Sequence, residues 1–275
     1  MRTVITSADR SWISFAELRQ FRGLFKYLSL RDVFVRYKQT RMGYAWSVIR
    51  PAINIAIFGT LSFLVDRSGN FTDRFIEVSA AIILWQLIST TVTEVSNALI
   101  NNSNILTKVY FPKILLPMSA IMVCLIDFLI AFALFLPVYI GVKGWPPLQA
   151  LLIPLVVGYC FVFSFALGLL FATASVKYRD VKFILPFLLQ ILFYVSPVFL
   201  SSQFILNHNM PETLKVIYQV NPLVFALNAW KYCFSGVFES FDPLYAGISV
   251  AITILLLIFS LKYFLNFEKS FADYI

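Results

Sequence analysis

Apolar residues run on for long stretches of this chain, and charged residues gather where the runs stop. Immediately after Pro51, AINIAIFGTLSFLV carries no charge at all. A helix needs about 20 mainly apolar residues to cross about 30 Å of hydrocarbon. By that measure the pattern predicts spans at 44–65, 76–100, 114–142, 144–176, 183–202 and 243–261. The second includes Glu94, the third is interrupted only by Asp127, and the fifth contains Pro186, Gln190 and Pro197. The runs are continuous, not alternating, so they read as helices and not as barrel strands.

Two other segments have a different pattern. Residues 216–230 lie between Lys215 and Lys231 and include Asn221, Pro222 and Asn228. At about 1.5 Å per residue this stretch falls short of the hydrocarbon thickness. It reads as a re-entrant or surface-lying helical pair, with a seventh full span as the alternative. Near the N-terminus, Leu18, Phe21, Leu24, Phe25 and Leu28 share one helical face, opposite Arg19, Arg22 and Lys26. That is an amphipathic helix suited to the headgroup region. Ser14 with Glu17, and Ser29 with Asp32, have capping-box spacing, so one helix is expected to begin at each serine. The predicted fold is an all-α integral membrane protein with six transmembrane helices. It has an N-terminal interfacial helix within residues 1–43, a six-span membrane domain over 44–275, a loop at 101–113 and an outer segment at 203–242.

Composition supports this reading. Hydrophobic residues make up 60% of the 275 and charged residues only 13%, against about 25% charged in soluble domains. The net charge of +8 does not point to nucleic acid, because the basic residues sit in short segments beside apolar runs. Six spans put both termini on one side. Seventeen basic residues then fall on that side and five on the other, which predicts cytoplasmic termini. The densest cluster, RDVFVRYKQTRMGYAWSVIRP, presses against the first span as an anchor on an anionic surface. A basic stretch of some fifty residues before the first apolar run does not read as a signal peptide.

Catalytic chemistry is not indicated. His208 stands without nearby acids, the three cysteines are scattered, and no phosphate loop or metal motif occurs. Any ATP-driven step would need another chain. Asp127 is either a structural hydrogen-bond partner or part of a transport path. The prolines at 186 and 197 make the fifth span a candidate pore wall. The span aromatics Phe58, Trp85, Tyr159, Phe163, Phe187, Phe193 and Tyr194 could stack on sugar rings or simply pack against lipid and protein. In NNSNILTKVYFPKILLP, the asparagines break the second span. A short helix over 104–111 is expected to follow and to end at Pro112, on a surface suited to docking.

Four segments, VRYKQTRMGYAWSVIRP, NILTKVYFPKILLP, VKYRDVKFILP and SPVF, resemble in order and spacing the membrane subunit of bacterial ABC polysaccharide exporters. That family covers O-antigen, capsule and wall-teichoic-acid export, and the O-antigen export permeases are the nearest in pattern. The resemblance implies a homodimer in the bacterial inner membrane, working with two copies of a separate ATPase that binds ATP and Mg. No cofactor is implied in this chain. The implied cargo is an undecaprenyl-pyrophosphate-linked glycan. Arg36, Tyr37, Lys38, Arg41 and Trp46 would form a gate for its lipid pyrophosphate. Asn104, Lys108, Tyr110, Phe111 and Lys113 would dock the ATPase. Phe58, Trp85, Asp127, Tyr159, Phe163, Phe187, Tyr194 and Pro197 are channel-lining candidates. Asn221 and Pro222 would belong to an outer gate. The alternatives are export of teichoic acid, capsule or small lipophilic molecules, and more remotely a glycosyltransferase or an ATP-independent carrier.

Overall fold

The structure is a computed structural model that describes residues 19–38, 45–65, 70–106, 111–178, 180–198, 201–207, 211–238, 242–268 and 271. These residues are helical or in short turns. The first helix, α1, is Arg22–Lys38, and α2 is Ala45–Val65. Next come α3 (Phe71–Asn101), the single turn α4 (Ser103–Leu106) and α5 (Leu115–Lys143). A 3-10 turn at Leu148–Leu152 leads into α6 (Ile153–Lys177), followed by α7 (Val181–Val195) and α8 (Ser202–Asn207). The chain continues through α9 (Glu212–Val220), α10 (Pro222–Ser235) and α11 (Pro243–Glu268).

Among the described residues, four segments are long and apolar enough to cross a membrane: Phe71–Asn101, Leu115–Lys143, Leu148–Lys177 and Pro243–Glu268. The least apolar of them, α3, is also the most buried. In lipid the outward faces must be apolar, so the helix richest in Ser, Thr and Glu takes the centre. It packs on α5 and α6. Gly168 of α6 lets the backbones approach closely: a Cβ there would lie 2.8 Å from Val95 of α3. One apolar cluster gathers around α3 and α10, with Leu84, Ile88, Leu227 and Trp230 fully buried. A second lies at the other end of the bundle, where Leu28, Leu99, Leu115, Phe264 and Phe271 meet.

Three features differ from the sequence expectations. First, α1 is continuous through Ser29, which caps nothing; its hydroxyl donates to the Phe25 carbonyl 2.9 Å away, the back-bonding that competes with capping. Asp32 is occupied by Arg31 at 2.6 Å. The box at Ser14 and Glu17 lies outside the described residues. The apolar face of α1 is spent on the chain itself, since Leu28 is buried and Phe21, Leu24 and Phe25 pack against the second cluster. Second, α7 ends at Val195 and not near 202. Ser196 is extended (ψ 155°), as the steric demand of the following Pro197 requires. Pro186 is accommodated inside the helix. Third, Lys231 does not mark a helix end. It lies inside α10 with its side chain only 5% exposed, paired with Glu77 at 2.9 Å.

The expected helical pair is present as α9 and α10. Asn221 separates them, and its side chain accepts from the Leu223 N–H at 2.9 Å, an N-cap. Pro222 takes the first helical position, where it needs no donor. Gly236, at φ +69°, closes the helix in the left-handed conformation.

Candidate functional site

A cavity of about 500 Å³ opens between α2, α3 and α7. Its α3 wall is a stripe at helical spacing: Ile82, Trp85, Gln86, Ser89 and Thr90. On α7, Leu189, Gln190, Phe193 and Tyr194 share a face and form the second wall. From α2 come Asn54 and Phe58. Phe193 is the hub of the rings. Its centroid lies 4.9 Å from Phe58, 5.5 Å from Trp85 and 5.4 Å from Tyr194, all edge-to-face, a favoured aromatic geometry.

Three channel candidates, Phe58, Trp85 and Tyr194, therefore converge on one groove. The other five lie elsewhere. The Tyr159 hydroxyl is 2.8 Å from the Thr253 hydroxyl on α11, and its ring meets Phe225 edge-on at 5.3 Å. Phe163 is buried in the main cluster. Phe187 is exposed on α7. Pro197 is buried just beyond the end of α7. Asp127 is ion-paired with Arg36 at 2.9 Å. The polar half of the groove, Asn54, Gln86, Ser89, Thr90 and Gln190, was not singled out by sequence as a set. Its signal was available: uncharged polar residues recurring on one face of an otherwise apolar helix.

Arg36 bridges two helices, reaching Asp127 of α5 and Glu94 of α3, each at 2.9 Å. Nearby, Arg31 bonds Asp32 and the Asn102 side chain, and the Ser119 hydroxyl lies 3.3 Å from Asp32. This network pins α1 to both flanks of the 101–113 loop, beside a cavity of about 400 Å³ lined by Arg31, Arg36 and Glu94. The side chains of Tyr37, Lys38 and Trp46, and all of Arg41, lie outside the described residues. Arg36 is already engaged by two carboxylates, through Nη1 and Nη2.

In the loop, Asn104 is exposed within α4, while Lys108 and Tyr110 lie outside the described residues. Phe111 is 4% exposed and sits in the second apolar cluster, so its ring is not presented at the surface. Lys113 is tied to the end of α11. Its backbone N–H donates to the Glu268 carboxylate at 3.0 Å, and its ammonium donates to the Glu268 carbonyl at 2.6 Å. The ammonium also lies 5.4 Å from the Phe271 ring centre. Phe111→Ala is therefore expected to lower the thermal stability of the isolated chain, by about 3–5 kcal/mol as core Phe truncations do. A melting curve recorded without any partner checks this; an unchanged curve would return Phe111 to the role of a surface contact.

At the opposite end, α10 is held by polar tethers. The Trp230 indole N–H donates to the Ala80 carbonyl at 2.7 Å, and the Tyr139 hydroxyl to the Phe234 carbonyl at 2.7 Å. Arg74 pairs with Glu77, Lys143 with Asp73 and Lys215 with Glu212, all within 3.0 Å. Among the described residues no three His, Cys, Asp or Glu side chains gather where a metal ion could bind.

Long apolar helices around a central α3, with an aromatic and amide-lined groove between them, define a multi-pass helical membrane protein. The chain belongs to the ABC-2 type transporter family, whose profile matches residues 23–235. It is 27% identical over 240 residues to the "O-antigen export system permease protein RfbA" of Myxococcus xanthus, covering 87% of this chain and 91% of that protein. It is 26% identical over 254 residues to a protein of the same name from Klebsiella pneumoniae, covering 91% and 94%.

Proposed function

We propose that this chain is the transmembrane subunit of an ATP-driven exporter that moves a lipid-linked polysaccharide, of the O-antigen kind, outward across the bacterial inner membrane. The observation that carries this reading is the groove itself. Aromatic faces and amide side chains together suit a sugar chain, whose rings have apolar faces and hydroxyl edges. Aromatic stacking tolerates sliding, and amides can exchange one hydroxyl for the next. The named role of the relatives agrees.

Six spans follow if α2 and α7 join the four long helices. Ala45–Val65 has 21 residues, about 31 Å of helix. Val181–Val195 is shorter, and the turn at residues 196–198 lengthens it. The re-entrant pair α9 and α10 would then sit at the outer face, with both termini cytoplasmic. In that arrangement 17 Lys and Arg residues lie on the cytoplasmic side and five outside, the bias that orients such proteins.

Each groove is open on one side, next to exposed apolar faces of α2 (Ile53, Ile57) and α7 (Phe183, Phe187). A second copy placed there would close two grooves into one channel. The undecaprenyl pyrophosphate would approach past Lys38 and Arg41, with Arg36 poised nearby, since guanidinium groups suit phosphate geometry. The separate ATPase, with ATP and Mg, would dock at the 101–113 loop. Closure of that partner would tilt α1 and α3 through the Arg31–Asn102 and Arg36–Glu94 contacts.

The test is complementation of a strain lacking the native permease. Trp85→Ala with Phe193→Ala is expected to cut surface polysaccharide about tenfold or more, while lipid-linked polymer accumulates inside and protein levels stay normal; such a factor corresponds to about 1.4 kcal/mol. Full surface polymer from that double variant would remove the groove from the path. For topology, a single cysteine at Asn70 should react with an impermeant thiol reagent outside sealed cells, and one at Lys177 should not. The reverse pattern would invert the orientation.

A further inference from the structure

We infer that the groove selects an uncharged, hydroxyl-rich polymer and rejects a polyanionic one. This rests on the export reading above and narrows its cargo to neutral glycans, away from polymers with a phosphate or carboxylate in each repeat. The first observation is charge. None of the twelve side chains lining the groove is charged. The two neighbouring cavities differ: one contains Arg31, Asp32, Arg36 and Glu94, the other Asp73, Glu77, Lys143 and Lys231. Among the described residues, ionic groups line both of those cavities and are left out of this one. Pores that pass anions line their constrictions with Arg or Lys. An anionic repeat between α3 and α7 would shed water with no cation to replace it, and that is costly in a low-dielectric wall.

The second observation is the direction of the hydrogen bonds. The Thr90 hydroxyl donates to the Gln86 backbone carbonyl at 2.6 Å, and the Ser89 hydroxyl to the same carbonyl at 3.3 Å. Both protons are used within α3, so these residues offer the groove oxygen lone pairs. The Gln86 side-chain oxygen is buried and accepts no hydrogen bond from the described protein. A buried acceptor in that state favours a ligand that brings a donor. Sugar hydroxyls donate. Ionised carboxylates and phosphates only accept, so the Ser89 and Thr90 hydroxyls, their protons spent inside α3, and the Gln86 oxygen gain no hydrogen bond from them. The amides of Asn54 and Gln190 both donate and accept, so they can serve either edge of a hydroxyl chain. The α3 stripe is therefore the specificity-determining surface.

The test uses the full chain, purified in its native assembly in lipid nanodiscs at physiological salt. Trp85 serves as reporter through the difference in emission between wild type and Trp85→Phe. Maltoheptaose, a neutral seven-ring glycan, is titrated against heptagalacturonate, which carries a carboxylate on each ring. Maltoheptaose is expected to change the Trp85-dependent emission in the millimolar range. Heptagalacturonate is expected to bind about tenfold more weakly or worse, the gap one uncompensated charge produces. Gln86→Leu should weaken maltoheptaose by about three- to tenfold, as loss of one hydrogen bond does. Gln190→Lys should shift the preference toward heptagalacturonate. Equal or tighter binding of heptagalacturonate to the wild type overturns the charge selection and leaves the export reading standing. No Trp85-dependent response to either glycan overturns the groove as a glycan site, and the surface-polysaccharide assay then decides the export reading separately.

Discussion

Arg36→Met is expected to destabilise the full chain more than neutralising either of its acidic partners. One guanidinium serves Glu94 on α3 and Asp127 on α5. Without it, Glu94 and Asp127 lose the guanidinium that bridges them within membrane-spanning helices. Breaking a fully buried pair by removing one partner costs about 3–5 kcal/mol. Here the side chains are 16–39% exposed, so solvent screening reduces the expected loss to about 2–3 kcal/mol. Asp127→Asn alone leaves Arg36 with Glu94, and should cost about 1 kcal/mol or less. The triple variant Arg36→Met, Glu94→Gln, Asp127→Asn removes the charges together and should recover most of the loss. Melting curves of the purified variants measure all three. A triple variant as unstable as Arg36→Met alone would mean that the arginine acts by packing and not by charge. A stable triple variant that no longer exports would show that Arg36 has a second role with the cargo.

The second large effect is expected at Gly168. A Cβ there would lie 2.8 Å from the Val95 side chain and 3.1 Å from the Val92 carbonyl. Small residues let membrane helices approach closely, and filling that space forces backbones apart. Overpacking typically costs about 1–3 kcal/mol, so Gly168→Leu should reach or pass the top of that range, because α3 carries the groove stripe on the same helix. Gly158 is the internal control. It lies on α6 too, and a Cβ there meets nothing within 4 Å, so Gly158→Leu should melt near the wild-type temperature. Equal losses at the two glycines would sink the close-packing explanation.

Four of the predicted spans were legible because uninterrupted apolar runs have few other solutions in lipid. The predicted 243–261 run begins where α11 begins, and 114–142 differs from α5 by one residue at each end. Charges failed as boundary marks where a partner neutralises them. Lys231 looked like an edge because Glu77, distant in sequence, was not visible as its counter-ion. Ser29 and Asp32 had the spacing of a cap, but local spacing cannot show that the helix was already running or that Arg31 and Ser119 compete for the acid. In the groove, Phe58, Trp85 and Tyr194 were readable as aromatics within spans, but so were Tyr159 and Phe163. What separates them is which face meets α2 and α7, and that depends on how the helices pack. The polar members of the stripe went unnoticed for a related reason: one Gln or Ser in an apolar run reads as tolerated, and only alignment on a shared face gives the set a meaning.

The clasp between Lys113 and Glu268 has a consequence for biogenesis. The two residues are 155 positions apart, so the loop after α3 leaves the ribosome long before the residue that holds its Lys113 end. Until Glu268 and Phe271 have been made and α11 has inserted, Lys113 lacks its carboxylate and the second apolar cluster lacks Phe264 and Phe271. The Lys113 end of that loop therefore gains these contacts only when the last helix is in place. A partner that recognises the finished loop would pass over nascent or truncated chains and join only those whose last span is in place.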